Sequence, residues 1–160
     1  MTKILVAYFS ATGVTKGAAQ NLAQAANADL YEIKPTTPYN EADLNWMDKN
    51  SRSTLEMKDK TSRPSIIDDD AKIQDYDVIF LGFPIWWYVA PTIINTFLEK
   101  YDFSNKKIIL FATSGGSGFG NTVKELKPSV SASCEITEGK LLRAASTTES
   151  IKDWIDSLNL

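Results

Sequence analysis

The chain has 160 residues, 43% of them hydrophobic, which predicts one domain spanning residues 1–160 around a substantial core. It contains no histidine and a single cysteine, Cys134, so an internal disulfide is excluded and metal-hydrolase or Ser-His-Asp chemistry is a poor fit. Lys+Arg at 17 against Asp+Glu at 20 gives a net charge of -3, with no basic footprint for nucleic acid. No apolar run approaches the roughly 20 residues a bilayer span requires, and the N-terminus starts on a strand pattern instead of a cleavable leader. A cytoplasmic protein with no membrane association is expected.

Ile4 to Phe9 are successive apolar residues, as in a parallel strand buried on both faces. From Val14 the pattern changes to Val14, Ala18, Leu22 and Ala25/Ala26, one face of an amphipathic helix. Asp29 to Lys34 alternates and stops at Pro35, which predicts a short second strand near an edge. Thr36 to Asp70 is polar and long for a connection, and Leu44, Met47, Ser51 and Leu55 predict a helix from about Glu41 to Glu56. Asp68-Asp69-Asp70 reads as a solvated loop. Asp77 to Gly82 is a central strand, and Pro91 suits the start of a helix carrying Ile94, Phe97 and Leu98. Lys107 to Ala112 is another buried strand, followed by a short helix around Thr122 to Leu126. Cys134 to Thr137, with Leu141-Leu142, makes a weaker last strand. Ser146 to Glu149 has capping-box spacing before a terminal helix lined by Ile151, Trp154, Ile155 and Leu158. Alternating strands and helices predict an α/β fold with a parallel sheet covered on both faces.

Three loops carry the chemistry. Ser10-Ala11-Thr12-Gly13-Val14-Thr15 joins the first strand to the first helix. Such a turn offers free backbone N–H groups at the positive end of a helix, and Ser10, Thr12 and Thr15 add hydroxyl donors for a phosphomonoester. The same residue types also serve as an ordinary helix cap. Gly82-Phe83-Pro84-Ile85-Trp86-Trp87-Tyr88 places two of the four tryptophans at a strand's carboxyl end, as a flat wall for a planar ring, as core beneath the loop or as a contact patch for another protein. Ser114-Gly115-Gly116-Ser117-Gly118-Phe119-Gly120 holds four of the eight glycines and follows a buried strand directly. Its free backbone suits the edge of a heteroaromatic ligand better than it suits a linker.

All three loops leave carboxyl ends of strands, where open α/β sheets bind ligands. On these motifs the chain resembles the flavodoxin family over nearly its whole length. The resemblance implies a doubly wound five-stranded parallel sheet in the order 2-1-3-4-5, flavodoxin-like, with helices on both faces. It implies FMN as cofactor, with its phosphate at Ser10, Ala11, Thr12, Gly13, Val14 and Thr15. The flavin would be flanked by Pro84, Ile85, Trp86, Trp87 and Tyr88, in the manner of a Pro-x-Trp-Trp branch. Ser114, Gly115, Gly116 and Ser117 would hold the pyrimidine edge of the isoalloxazine. The implied partners are a reductase donor and an acceptor protein, with the chain a monomer or weak dimer. Two departures are visible: the charge of -3 is mild for an electron carrier, and Phe119 stands among glycines where many carriers have a tyrosine-rich segment. An FMN-dependent NAD(P)H oxidoreductase acting on quinones shares the fold and the cofactor, and a non-redox phosphate-binding module shares the fold alone.

Overall fold

The computed structural model describes residues 2–114, 116–143 and 146–160. Five strands, β1 (Ile4–Tyr8), β2 (Asp29–Glu32), β3 (Val78–Pro84), β4 (Lys107–Thr113) and β5 (Glu135–Leu141), form one parallel sheet in the order β2-β1-β3-β4-β5. Between and after them lie α1 (Val14–Ala26), α2 (Arg52–Lys58), α3 (Thr92–Lys100), α4 (Thr122–Leu126) and α5 (Thr148–Ser157). The expected strand order is the observed one.

Alternation along the strands divides the core into two layers. Leu5, Ala7, Ile79, Leu81, Ile108 and Leu110 pack with Ile93, Ile94, Phe97 and Leu98 of α3 on one face. Val6, Phe80, Ile109 and Phe111 meet Ala18 and Leu22 of α1 and Ile151 of α5 on the other. Val78 to Phe83 are all buried, as a central parallel strand requires. Gly82 has no side chain because the Phe111 ring occupies the place of a Cβ.

Several elements differ from expectation for local reasons. Val14 is exposed, and Thr15, Ala18, Ala19, Leu22 and Ala23 form the buried stripe of α1. β5 runs unbroken because Gly139 sits at a register shift opposite Leu110/Phe111, a bulge that disguises the alternation. The cap of α5 is Thr147, whose hydroxyl accepts from the Ser150 N–H at 3.1 Å. Ser146 instead accepts from the Arg143 N–H at 2.9 Å. Cys134, just before β5, is half-buried, and burial with the Glu135 charge pushes its thiol up to about 11.

The largest departure is the segment between β2 and β3. The helix expected over Glu41–Glu56 shrinks to α2, because short polar side chains bind their own backbone upstream of it. Asn40 Oδ1 accepts from the Asp43 N–H at 2.8 Å, Asn45 Oδ1 from Met47 at 3.2 Å and Asp48 Oδ1 from Asn50 at 2.9 Å. Ser51, expected on the apolar helix face, is the N-cap. Further on, Pro35 and Ile66 form an antiparallel bridge just past the end of β2. Asp68 accepts from the Tyr101 hydroxyl at 2.5 Å, and Asp69 lies 3.4 Å from Lys34 Nζ.

Candidate functional site

The first loop turns on Gly13, whose φ of 96° is left-handed and natural only for glycine. Ser10 Oγ accepts from the Gly13 N–H at 3.0 Å and the Lys16 N–H at 3.2 Å. Its oxygen therefore caps α1 while its own hydrogen remains to be donated. Thr12 and Gly13 are exposed beside it. Thr15 lies deeper: it is 2% exposed, and its Oγ1 is 2.7 Å from Thr113 Oγ1 at the end of β4. Its hydroxyl can face the loop as a donor only if Thr113 is the donor within that pair.

The second loop is a two-residue hairpin. Trp86 N–H donates to Val89 C=O at 2.9 Å, and Val89 N–H donates back to Trp86 C=O at 3.1 Å. Trp87 and Tyr88 between them have φ of 48° and 68°. Positive φ at both central residues is the geometry that Asn-Gly usually supplies. Bulky aromatics there cost about 1–2 kcal/mol each, and such strain clusters at ligand sites. Their consequence is exposure, 42% for Trp87 and 68% for Tyr88. Trp86 is partly buried and packs edge-on against Phe9 at 5.9 Å and Tyr39 at 5.5 Å. Trp86 thus takes the packed role, while the exposed Trp87 is free to serve as a wall or a contact surface.

The third loop approaches from β4. Ser114 Oγ accepts from the Gly116 N–H at 3.2 Å, Gly116 has φ of 150°, and Gly115 lies outside the described residues. Ile85 N–H donates to Thr113 C=O at 2.9 Å, which ties the second loop to the third. Gly120 has no side chain because the Tyr88 carbonyl fills the place of a Cβ. Phe119 is buried, edge-on to Phe83 at 6.4 Å, and so packs beneath the site.

These loops enclose a cavity of about 630 Å³. Ala11 and Thr12 border it from the first loop, Pro84, Ile85, Trp86, Trp87 and Tyr88 from the second, and Ser117 from the third. Ser10, Gly13, Val14 and Thr15 form the helix entrance next to it, while Ser114 and Gly116 stand outside the lining. Among the described residues, none that lines it is charged.

A fourth wall, which the sequence did not suggest, comes from the β2–β3 segment: Leu44, Trp46 and Ser53. Trp46 is 68% exposed. The segment is clamped by Arg52, which donates to Glu56 at 3.0 Å and to the Thr37 carbonyl at 2.7 Å and lies 3.7 Å above the Tyr39 ring. Tyr39 donates to Glu56 at 2.5 Å, and burial together with that carboxylate raises its phenol well above the usual range. Because Tyr39 also meets Trp86, the clamp connects the fourth wall to the aromatic hairpin. The only sequence signal was the excess length of the segment.

The family described as Flavodoxin matches residues 3–158. The chain belongs to the flavodoxin family. A crystal structure of a candidate flavoprotein from Bacteroides eggerthii is 46% identical, with a TM-score of 0.92 over 100% of this chain and 99% of that one. A flavoprotein from Lactobacillus acidophilus, solved in complex with FMN, shares the fold at 21% identity and a TM-score of 0.70 over 97% and 99% of the two chains. Among curated proteins, NAD(P)H dehydrogenase (quinone) 1 of Rattus norvegicus is 26% identical over 118 residues, 59% of this chain and 43% of that protein. The chain thus spans less than half the length of that curated relative. No helix among the described residues is long and apolar enough to cross a membrane.

Proposed function

We propose that this flavodoxin-family chain binds one FMN at the carboxyl ends of β1, β3 and β4 and carries electrons between redox partner proteins in the cytoplasm. The observation that supports this most is that one cavity is bordered both by Thr12, at the entrance to α1, and by an exposed aromatic hairpin. The donor set fits the cofactor's two chemically different ends. Backbone N–H groups, the Ser10 and Thr12 hydroxyls and Thr15 backed by Thr113 suit a phosphomonoester at the positive end of α1. Trp87 and Tyr88 suit a planar ring, with Pro84, Ile85 and Ser117 at its edges.

When bound, FMN supplies one- and two-electron redox chemistry. The chain sets its potential and its access. An uncharged lining offers no cation to a flavin that has gained electrons, which favours a low potential. The exposed Trp87 and Tyr88 leave the flavin edge within reach of a partner protein. No acid–base side chain is needed for such transfer, in keeping with a chain that lacks histidine.

A second reading, an FMN-dependent NAD(P)H oxidoreductase acting on quinones, is favoured by the likeness to the rat quinone dehydrogenase and by the exposed Trp46 at the cavity rim. The test is steady-state oxidation of NADPH and NADH by the FMN-loaded protein with a quinone acceptor. A carrier shows turnover only when a separate flavodoxin reductase is added. Turnover by the purified chain alone would establish the oxidoreductase instead.

A further inference from the structure

Buried hydroxyls in folded proteins nearly always find a partner, and those that do not call for an explanation. Among the described residues, the buried side-chain oxygens without one are Ser53 Oγ and Thr96 Oγ1. Ser53 is 2% exposed, and its backbone N–H is already given to the Asp43 carbonyl at 2.9 Å. It borders the cavity, whereas Thr96 does not. Ser53 also sits on a segment held in place by the Arg52–Glu56–Tyr39 clamp, so the hydroxyl is positioned in advance of any ligand.

We propose that Ser53 is a flavin-contacting residue, its hydroxyl bonding to a polar atom of the ring or sugar-alcohol part of the cofactor, with Leu44 and Trp46 closing the wall beside it. This rests on the FMN reading above. The part of the ligand follows from the balance of the lining: Ser53 shares the chamber with all of Pro84 to Tyr88, while the phosphate loop reaches it only through Ala11 and Thr12 and leaves Ser10 and Gly13 outside. Bound flavin thereby satisfies a group that is costly to leave unpaired in the free protein.

The test compares Ser53→Ala and Thr96→Ala with the unsubstituted protein. The flavin-free proteins are titrated with FMN and with riboflavin by fluorescence quenching, and their melting temperatures are recorded. Ser53→Ala is expected to melt no lower than the parent and to bind both ligands more weakly by roughly fivefold or more. Thr96→Ala should leave both affinities unchanged. Unaltered flavin affinity in Ser53→Ala, or a loss confined to FMN, would overturn the assignment while leaving the FMN reading intact. No binding of either flavin by the unsubstituted protein would overturn the FMN reading itself.

Discussion

Replacing Thr15 and Thr113 by valine, singly and together, probes the contact that joins α1 to the end of β4. Both residues are buried, and their hydroxyl oxygens are 2.7 Å apart. Valine matches threonine in shape, so each single change removes a hydroxyl without opening a cavity. It leaves the other hydroxyl desolvated and unpaired, which costs about 1–3 kcal/mol. At about 2 kcal/mol, a chain of this size loses roughly 4–8 °C in melting temperature. Removing both hydroxyls leaves neither unpaired, so the double variant should recover most of the loss. The assay is urea unfolding of the flavin-free protein, with slopes compared to confirm a common unfolded state. Additive single losses, with no coupling between the sites, would refute the pairing and with it the argument that Thr113 orients Thr15.

Other consequences are separable. Thr12→Val removes a neutral donor to a charged phosphate, so FMN binding should weaken by about 1.5–3 kcal/mol while riboflavin binding stays unchanged in a parallel titration. Trp87→Ala should shift the midpoint potential and the FMN affinity with modest loss of stability. Trp86→Ala, which deletes contacts with Phe9 and Tyr39, should instead mainly lower the melting temperature. Alkaline titration tests Tyr8, which burial first and Glu32 second push up to about 12 from 10.0. The folded state holds that proton more tightly, so stability is full below pH 10.0 and falls as pH rises towards about 12. Tyr76, pushed up to about 12 by burial and Asp29, acts in the same window, and Tyr8→Phe should flatten the decline without abolishing it.

The sheet was legible because β1, β3 and β4 are near-continuous apolar runs, a pattern few other elements produce. β5 was half legible, since Gly139 breaks its alternation at the bulge. The first loop could be read to the residue as a helix entrance, but sequence alone does not say that Thr15 points inward to Thr113. That contact spans 98 positions and exists only once the sheet is assembled. Composition likewise leaves the Trp86/Trp87 roles open; the hairpin divides them through two positive φ angles that favour glycine or asparagine. The fourth wall was hidden for a related reason. Leu44, Trp46 and Ser53 lie in a polar segment whose turns are fixed by side-chain-to-backbone bonds, and the spacing of Leu44, Met47, Ser51 and Leu55 pointed to one long helix instead of to these turns.

The most direct measurement is the visible absorption spectrum of the purified protein after FMN addition and filtration to remove free ligand, repeated for Thr12→Val. Retention of the two flavin bands by the parent, with a smaller retained fraction in the variant, is the predicted result. A parent protein that passes the filter step with no flavin absorbance would contradict the assignment of the cavity.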